Sequence, residues 1–266
     1  MKLKLLLNYT FLISFLFNVS AQNNISDMEV VYRMKFIIDS TKTDYPIYVD
    51  NLRLLFNKES SVYFSQDTKS YYEFINKGIS QMKDGKISLG SIPMQPKVKG
   101  SVYKLGETIT ATLPVGKYLY SFEEPKIEWQ LLNETKEIKG IKCGLAKTTL
   151  DTGGIFFAWY TIKEYPFSEG PFRFKGLPGL ILSVYNKNKT IEIDAVEIKK
   201  TQEEFEHYFS QMAIKIKNKG IFLKSRSEYF ENPNIQSNPD IIIKDSNGNI
   251  INNNRKERLP NNVFLD

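Results

Sequence analysis

The sequence predicts a mainly β protein, built as a curved antiparallel sheet or a partly open barrel with one packed α-helix. Two observations lead to this prediction. Roughly ten short segments alternate apolar and polar residues, and turn-forming glycine, asparagine and aspartate separate them. Only one segment combines the apolar spacing of an amphipathic helix with a capping signal. An α+β arrangement is the alternative fold class.

The strands are predicted from alternation along the first two thirds of the chain. Glu29–Asp39 is the first strong strand, with its apolar residues on one face. Residues 66–98 carry a weaker signal, and within them Tyr71–Ile75 predicts a short helix. The other strands are predicted at 50–56, 61–65, 101–105, 108–113, 118–122, 127–132, 141–150 and 154–161.

A β-hairpin is predicted at 180–199. Ile191 and Ile193 share one face, whereas Val196 and Ile198 fall on the other parity. A β-bulge at Ala195–Val196 would return all four side chains to a common face.

The hairpin is entered through Leu177-Pro178-Gly179-Leu180, which has the residue order of a type II turn. Proline presets φ at the second position of such a turn, and glycine accepts the positive φ of the third. We therefore expect Gly179 to have a positive φ and the run Gly176, Leu177, Pro178, Gly179, Leu180, Ile181 to be structural.

One helix is predicted after the hairpin. Thr201 and Glu204 have the spacing of a capping box. Phe205, Tyr208, Phe209 and Met212 then follow at helical spacing, so this helix should pack its apolar stripe on the sheet. His207 would face solvent on such a helix.

The run GLPGLI at 176–181 and several flanking motifs resemble the GLPGLI family, a group of exported, uncharacterised proteins of Gram-negative bacteria. The flanking motifs are Glu128-Trp129, the stretch from Glu134 to Cys143 with Ala146, Ala158 to Thr161, and Gly170-Pro171. The resemblance is close over 125–190 and looser elsewhere. It implies no activity and no catalytic residue, because the family has none assigned.

The N-terminus predicts a secretory signal peptide at 1–21. A short basic start is followed by an interrupted apolar run and by Val19-Ser20-Ala21, whose small residues suit signal peptidase. We expect a periplasmic protein with one β-rich domain at 22–231 and an asparagine-rich extension at 232–266 that includes a small hairpin. No transmembrane span is expected after signal removal.

Composition limits the chemistry. The single cysteine, Cys143, excludes an intramolecular disulfide, and one histidine with one cysteine cannot form the usual zinc site. No catalytic, cofactor or metal residues are therefore predicted. The paired carboxylates Glu123/Glu124 and Glu134/Glu137 remain weak candidates for acid–base work. The net charge of +6 is too small and dispersed for nucleic-acid binding.

The high content of aromatic residues predicts a well-filled interior, with Trp129, Phe157 and Trp159 as core candidates. A curved sheet covered by a helix can enclose an apolar cavity. The leading interpretation is thus a non-enzymatic binding or assembly protein of the cell envelope, holding a lipid or other hydrophobic small molecule. The alternatives are a module that docks on an envelope protein, such as an outer-membrane transporter or a secreted enzyme, and, less favoured, a carboxylate-dependent hydrolase.

Overall fold

A computed structural model of the chain describes residues 24–37, 46–80 and 96–232. The predicted signal peptide at 1–21, the small hairpin near 240–251 and the tail at 252–266 lie outside the described residues. The proposed domain boundaries stay predictions. No helix among the described residues is long and apolar enough to cross a membrane.

Twelve strands form one curved, unclosed sheet, which confirms the mainly β prediction. Their order across the sheet is β14-β7-β6-β5-β4-β3-β2-β12-β11-β10-β9-β8, and a separate two-stranded pair joins β1 to β13. The strands are β1 Asn24–Ile25, β2 Met28–Ile37, β3 Ile47–Phe56, β4 Ser60–Ser65, β5 Ser101–Leu105, β6 Thr108–Val115, β7 Tyr118–Glu123, β8 Gln130–Ile138, β9 Ile141–Thr149, β10 Ile155–Thr161, β11 Ile181–Asn186, β12 Ile191–Lys200, β13 Glu204–Phe205 and β14 Ile214–Lys215.

Antiparallel neighbours build almost the whole sheet, and among the described strands only β14 pairs in parallel, with β7. The hairpin of β11 and β12 forms as predicted. The register between β12 and β2 shifts between Ala195 and Glu197, so the bulge predicted at Ala195–Val196 is confirmed. It keeps the buried side chains of β12 on one face.

The helix predicted from Thr201 is wrong. Only β13 and a three-residue 3-10 turn, Ser210–Met212, occur there. Phe209 has φ 69°, a left-handed value that ends any α-helical run, and the Thr201 N–H donates to the Asp27 carbonyl. Aromatic contacts provide the reason: Tyr208 packs on Phe64 with ring centroids 4.6 Å apart, which holds the backbone in an irregular path.

The two α-helices of the described residues lie elsewhere. Helix α1 spans Gln66–Ser80 and includes the short helix predicted at Tyr71–Ile75. Helix α2 spans Lys219–Glu231 and begins at Asn218, whose Oδ1 accepts a hydrogen bond from the Ile221 N–H at 3.2 Å.

The sheet buries side chains on both faces. The larger core contains Tyr32, Phe56, Phe156, Phe174 and the aliphatic residues around them, and it is covered by the β10–β11 connection and by α2. The smaller core lies on the opposite face, where the segment after β13 packs on β3 and β4. Its members are Leu55, Val62, Phe64, Leu119, Phe205, Tyr208 and Phe209.

A lysine links two parts of the sheet that are not adjacent. Lys139 lies in the two-residue turn between β8 and β9, where Lys139 and Gly140 both have positive φ. Its Nζ donates to the carbonyls of Ala195 at 3.1 Å and Val196 at 2.8 Å, at the bulge of β12. This contact ties the β8–β9 hairpin to β12.

Candidate functional site

The connection between β10 and β11, residues 162–180, contains most of the recognisable motif and is called the signature loop below. Its path is fixed by its own backbone hydrogen bonds. The N–H of Leu180 donates to the Tyr165 carbonyl, and that of Ile181 to the Glu169 carbonyl, both at 2.9 Å. The loop is therefore a built structure that lies over the larger core.

The type II turn predicted at Leu177–Leu180 is wrong in its backbone geometry. Gly176 has φ 91°, whereas Gly179 does not have a left-handed φ. Gly179 is needed for a different reason, because a Cβ there would overlap the carbonyl oxygen of Thr161. Leu177, Leu180 and Ile181 are buried. In this run glycine thus provides close approach at one position and positive φ at another.

A buried charge cluster lies beneath the loop. Glu169 and Lys175, both nearly inaccessible, pair at 2.7 Å, and Lys104 from β5 contacts the other Glu169 oxygen at 2.7 Å. Burial alone would raise the pKa of Glu169, but the two ammonium groups hold it below its ordinary value. Burial lowers the pKa of Lys175, although Glu169 opposes this change. The cluster fastens the loop to the sheet.

A second charge cluster anchors the tip of the loop. The buried Arg173 guanidinium lies 2.7 Å from Asp151 and 3.0 Å from Glu124, and Lys219 of α2 contacts both carboxylates. Burial raises the pKa of Glu124, although the two cations oppose it. At the more exposed Asp151 burial also raises the pKa, but Arg173 and Lys219 outweigh it and hold the value low. These carboxylates are occupied by ion pairs that join the loop to α2.

An open cleft of about 550 Å³ lies where the larger core reaches the end of the sheet. Met28 is directly opposite Phe56 in the β2–β3 ladder and directly opposite Lys200 in the β12–β2 ladder. The three side chains therefore form one row on one face. Phe167 from the signature loop packs edge-on against Phe56, with ring centroids 5.2 Å apart. The cleft thus has an apolar floor of Met28, Phe56 and Phe167.

Hydrogen bonds hold the walls of this cleft. The side chain of Asn57 accepts from the backbone N–H groups of Glu59 and Ser60, and it donates to the Ile25 carbonyl at 2.9 Å. The Asp27 N–H donates to the Phe56 carbonyl at 2.9 Å, and the Thr201 N–H donates to the Asp27 carbonyl at 3.1 Å. The cleft is therefore formed by fixed backbone.

The rim of the cleft carries more positive than negative charge. Lys58 and Lys200 contribute ammonium groups, and Asp27 contributes one carboxylate. All three are exposed, and within the described ranges neither lysine makes an ion pair with another side chain. An apolar floor beside uncompensated ammonium groups can accept a molecule with an apolar part and an anionic group.

The three predicted core aromatics occupy different positions. Trp129 is half-buried over the signature loop, where its indole N–H donates to the Lys175 carbonyl at 2.8 Å. Trp159 is 8% exposed, and the Lys136 ammonium lies 4.3 Å from its ring. Phe157 is half-buried and stacks on Tyr185 at 5.4 Å. Phe157 and Trp159 point away from the face that Phe156 shares with the loop, since neighbours alternate along β10.

The predicted carboxylate pairs are not assembled into a site. Glu123, Glu134 and Glu137 are exposed, and Glu124 is buried in the Arg173 cluster. None of the four lines the cleft. Among the described residues there is no group of three or more His, Cys, Asp or Glu that could hold a metal ion.

His207 does not face solvent as predicted. Its ring stacks on Tyr103 with centroids 5.0 Å apart, and its Nε2 lies 3.1 Å from the Thr112 hydroxyl. Burial, with a contribution from Lys215, lowers the pKa of His207 to about 4. Cys143 is fully buried, and burial raises the pKa of its thiol to about 11, so the thiol is unreactive at neutral pH.

The cleft residues were not found from the sequence. Met28, Phe56 and Lys200 are far apart along the chain and become neighbours only through strand pairing. Phe167 comes from a loop without periodicity. The only signal was indirect, since all three strand residues lie at strand ends.

One family model matches part of the chain. Residues 146–183, which include the GLPGLI run, match the family described as "Protein of unknown function (Porph_ging)". No curated protein matches the sequence. The GLPGLI assignment itself stays a resemblance.

Three solved structures show low similarity. PNGF-II, crystallised in space group P21, has 14% identity and a TM-score of 0.48 over 77% of this chain, which spans only 34% of PNGF-II. An uncharacterized conserved protein from Thermus thermophilus has 6% identity and a TM-score of 0.35, over 74% of this chain and 94% of that one. A DUF1329 family protein from Desulfovibrio piger has 10% identity and a TM-score of 0.29, over 71% and 92%. At these values none carries an argument about function.

Proposed function

We propose that the chain is an exported, non-enzymatic binding protein of the cell envelope, and that its cleft holds an amphiphile with an acidic group. The observation that carries this proposal is the row Lys200–Met28–Phe56, completed by Phe167. It joins an apolar floor to an ammonium group on one face of the sheet. The volume of about 550 Å³ is within the usual range for small-molecule sites.

The apolar part of the ligand would lie against Met28, Phe56 and Phe167. Contact with this floor removes apolar surface from water on both sides, which is the main source of affinity. Phe167 completes the floor from the signature loop, and because it is only half-buried, part of its ring is open to a ligand.

The acidic group would lie between Lys58 and Lys200. Ammonium groups near the surface add modest affinity but orient the ligand, and their effect weakens as salt rises. A neutral ligand of the same length would therefore bind less well at low salt, and the difference would shrink at high salt.

Ligand binding is tested with a fluorescent long-chain fatty acid and its methyl ester. We expect the acid to bind more tightly, Phe167→Ala to weaken both probes, and the double variant Lys58→Gln/Lys200→Gln to weaken only the acid. Phe157→Ala and Lys35→Gln are matched controls on the opposite face of the sheet. Equal binding of acid and ester by the unmodified protein would refute the acidic-group part, and unchanged binding in Phe167→Ala would refute the cleft.

Export is a separate part of the proposal and rests on the features of residues 1–21. Fractionation of cells that produce the full chain, followed by N-terminal sequencing, tests it. A periplasmic protein that begins at Gln22 is expected. A cytoplasmic protein that retains Met1 would contradict export.

A further inference from the structure

The two edges of the large sheet differ. One edge is β14, which is only two residues long. The other is β8, which has nine residues, most of them exposed. Within the described ranges β9 is the only strand that pairs with β8, so its outer backbone groups are open. A long open edge is a template for pairing with another strand.

The hairpin geometry shows which backbone groups face outward. Ile138 and Ile141 close the two-residue turn, and the closing pair of such a turn is hydrogen-bonded. Bonded and non-bonded pairs alternate along an antiparallel ladder, so Lys136 and Cys143 bond to each other. The N–H and C=O groups of Thr135 and Glu137 consequently point away from β9.

A bulge leaves further groups open. Leu131 pairs with Ala146 and Thr135 with Gly144, so three residues of β8 lie opposite the single residue Leu145. The extra residues of a bulge lack ladder partners.

The side chains select one way of pairing two copies of this edge. A symmetric antiparallel pair must be centred on Thr135, Lys136 or Glu137 to use the outward groups. Centring on Lys136 or Glu137 puts like charges opposite each other, which is destabilising. Centring on Thr135 puts Glu134 opposite Lys136 of the partner subunit, and the symmetry repeats this contact.

An apolar contact also favours that register. Leu132 would lie opposite Ile138 of the partner subunit, and both side chains are only half-buried in the single chain. Lys136 has its ammonium 4.3 Å from the Trp159 ring, two strands inward from β8, and would turn outward to meet Glu134 of the partner subunit.

We infer that β8 is a self-recognition edge: two copies of the chain pair antiparallel through β8 about Thr135 and continue the sheet across a two-fold axis. The partner is a second copy because the spacing of Glu134 and Lys136 makes the edge complementary to itself. The same charges oppose pairing in the other registers.

Sedimentation velocity of the purified protein over a range of concentrations tests this inference. We expect reversible dimerisation that weakens with salt. Glu134→Lys and Lys136→Glu each replace two attractive contacts by two repulsive ones, so each should weaken dimerisation by about tenfold or more. Mixing the two variants should restore it, because one then carries two positive and the other two negative side chains at these positions.

The mixture separates charge pairing from misfolding, since a misfolded variant cannot be rescued by its counterpart. The exchange Glu134→Lys/Lys136→Glu within one chain should also dimerise. An unmodified protein that stays monomeric at high micromolar concentration overturns the inference. A mixture of the two variants that dimerises no more strongly than either variant alone also overturns it. Capture of a different protein by a monomeric chain would also overturn it.

Discussion

Two long irregular segments cover opposite faces of the same sheet, and they are held by different forces. The signature loop, 162–180, is fixed by charges inside the larger core, with Glu169 bonded to Lys104 and Lys175. The segment 201–213, called the aromatic segment here, is fixed by ring contacts such as Tyr208 on Phe64. Removing one partner of a buried ion pair leaves an uncompensated charge, so we expect the loop to be sensitive to substitutions that remove a single charge, whereas the aromatic segment should be sensitive to loss of ring volume.

The loop also combines rigidity with exposure. Its charged groups are buried, yet Phe167 remains at the wall of the cleft. The clusters therefore position one aromatic ring where a ligand would lie. The aromatic segment buries its rings and places only the polar residues Thr201 and Gln202, and no aromatic side chain, at the cleft.

The largest expected effect is at the charge cluster. Glu169→Gln leaves the buried Lys175 ammonium without its counter-charge, and we expect a loss of about 3–5 kcal/mol in the free energy of unfolding. Denaturant unfolding measures it. Glu107→Gln is the control because its ion pair with Lys126 is fully exposed. Similar losses in both variants would show that the buried cluster does not hold the loop.

The next effect separates the two roles of glycine in the loop. Gly179→Ala must displace the Thr161 carbonyl and should lose about 3 kcal/mol. Gly176→Ala has open space but a positive φ, so a loss of about 1 kcal/mol is expected. Thermal unfolding of both variants ranks them. A loss of only about 1 kcal/mol in Gly179→Ala with no loss in Gly176→Ala would instead support the type II turn, in which Gly179 and not Gly176 has the positive φ.

The aromatic segment contains His207, the only histidine of the chain, and we expect it to make the stability of the fold depend on pH. Its pKa is about 4 when folded and about 6.5 when unfolded, so the unfolded state binds the extra proton between these values. Stability should therefore fall as pH decreases from 6.5 to 4. Because the ring is partly accessible, we expect a loss of about 1–2 kcal/mol.

NMR titration reads this histidine without overlap from others, and a midpoint near 6.5 would disprove its burial. The stability change is compared with that of His207→Gln, which should lack it. The comparison is needed because burial raises the pKa of Asp50 to about 6, and that group stabilises the fold as pH falls.

The smallest effect distinguishes the aromatic segment from a helix. Thr201 would be the N-cap of the predicted helix, and its replacement would then cost about 1 kcal/mol. In the structure its backbone N–H bonds to Asp27. Thr201→Ala should change the free energy of unfolding by less than about 0.5 kcal/mol, measured in urea. A loss near the N-cap value would favour the helix.

The strands could be predicted because alternation depends on local side chains, and even the bulge at Ala195–Val196 was visible as a change of phase. The helix prediction for the aromatic segment was wrong because Phe205, Tyr208 and Phe209 have helical spacing but are buried in the smaller core, where rings from β4 and α1 pack on Tyr208 and Phe209. No local pattern reveals such tertiary contacts.

The charge clusters and the cleft were beyond the sequence for a related reason. Arg173 and Glu124, or Lys200 and Phe56, are separated by long stretches of chain, and their meeting depends on the order of strands. Buried charges also contradict the expectation that charged residues lie at the surface. Sequence patterns located the signature loop but not the groups that fasten it.

The contact of Lys139 with the bulge of β12 has a geometric consequence. β9 and β12 are three strands apart, which in a flat sheet is ~14 Å. That span exceeds the reach of a lysine side chain, yet Lys139 bonds to Ala195 and Val196. The sheet must therefore curl along this side, and the Lys139 ammonium group holds the β8–β9 hairpin against β12. Acetylation of that amine would remove its charge and leave one N–H donor for two carbonyls, which would weaken this contact while every strand kept its neighbour.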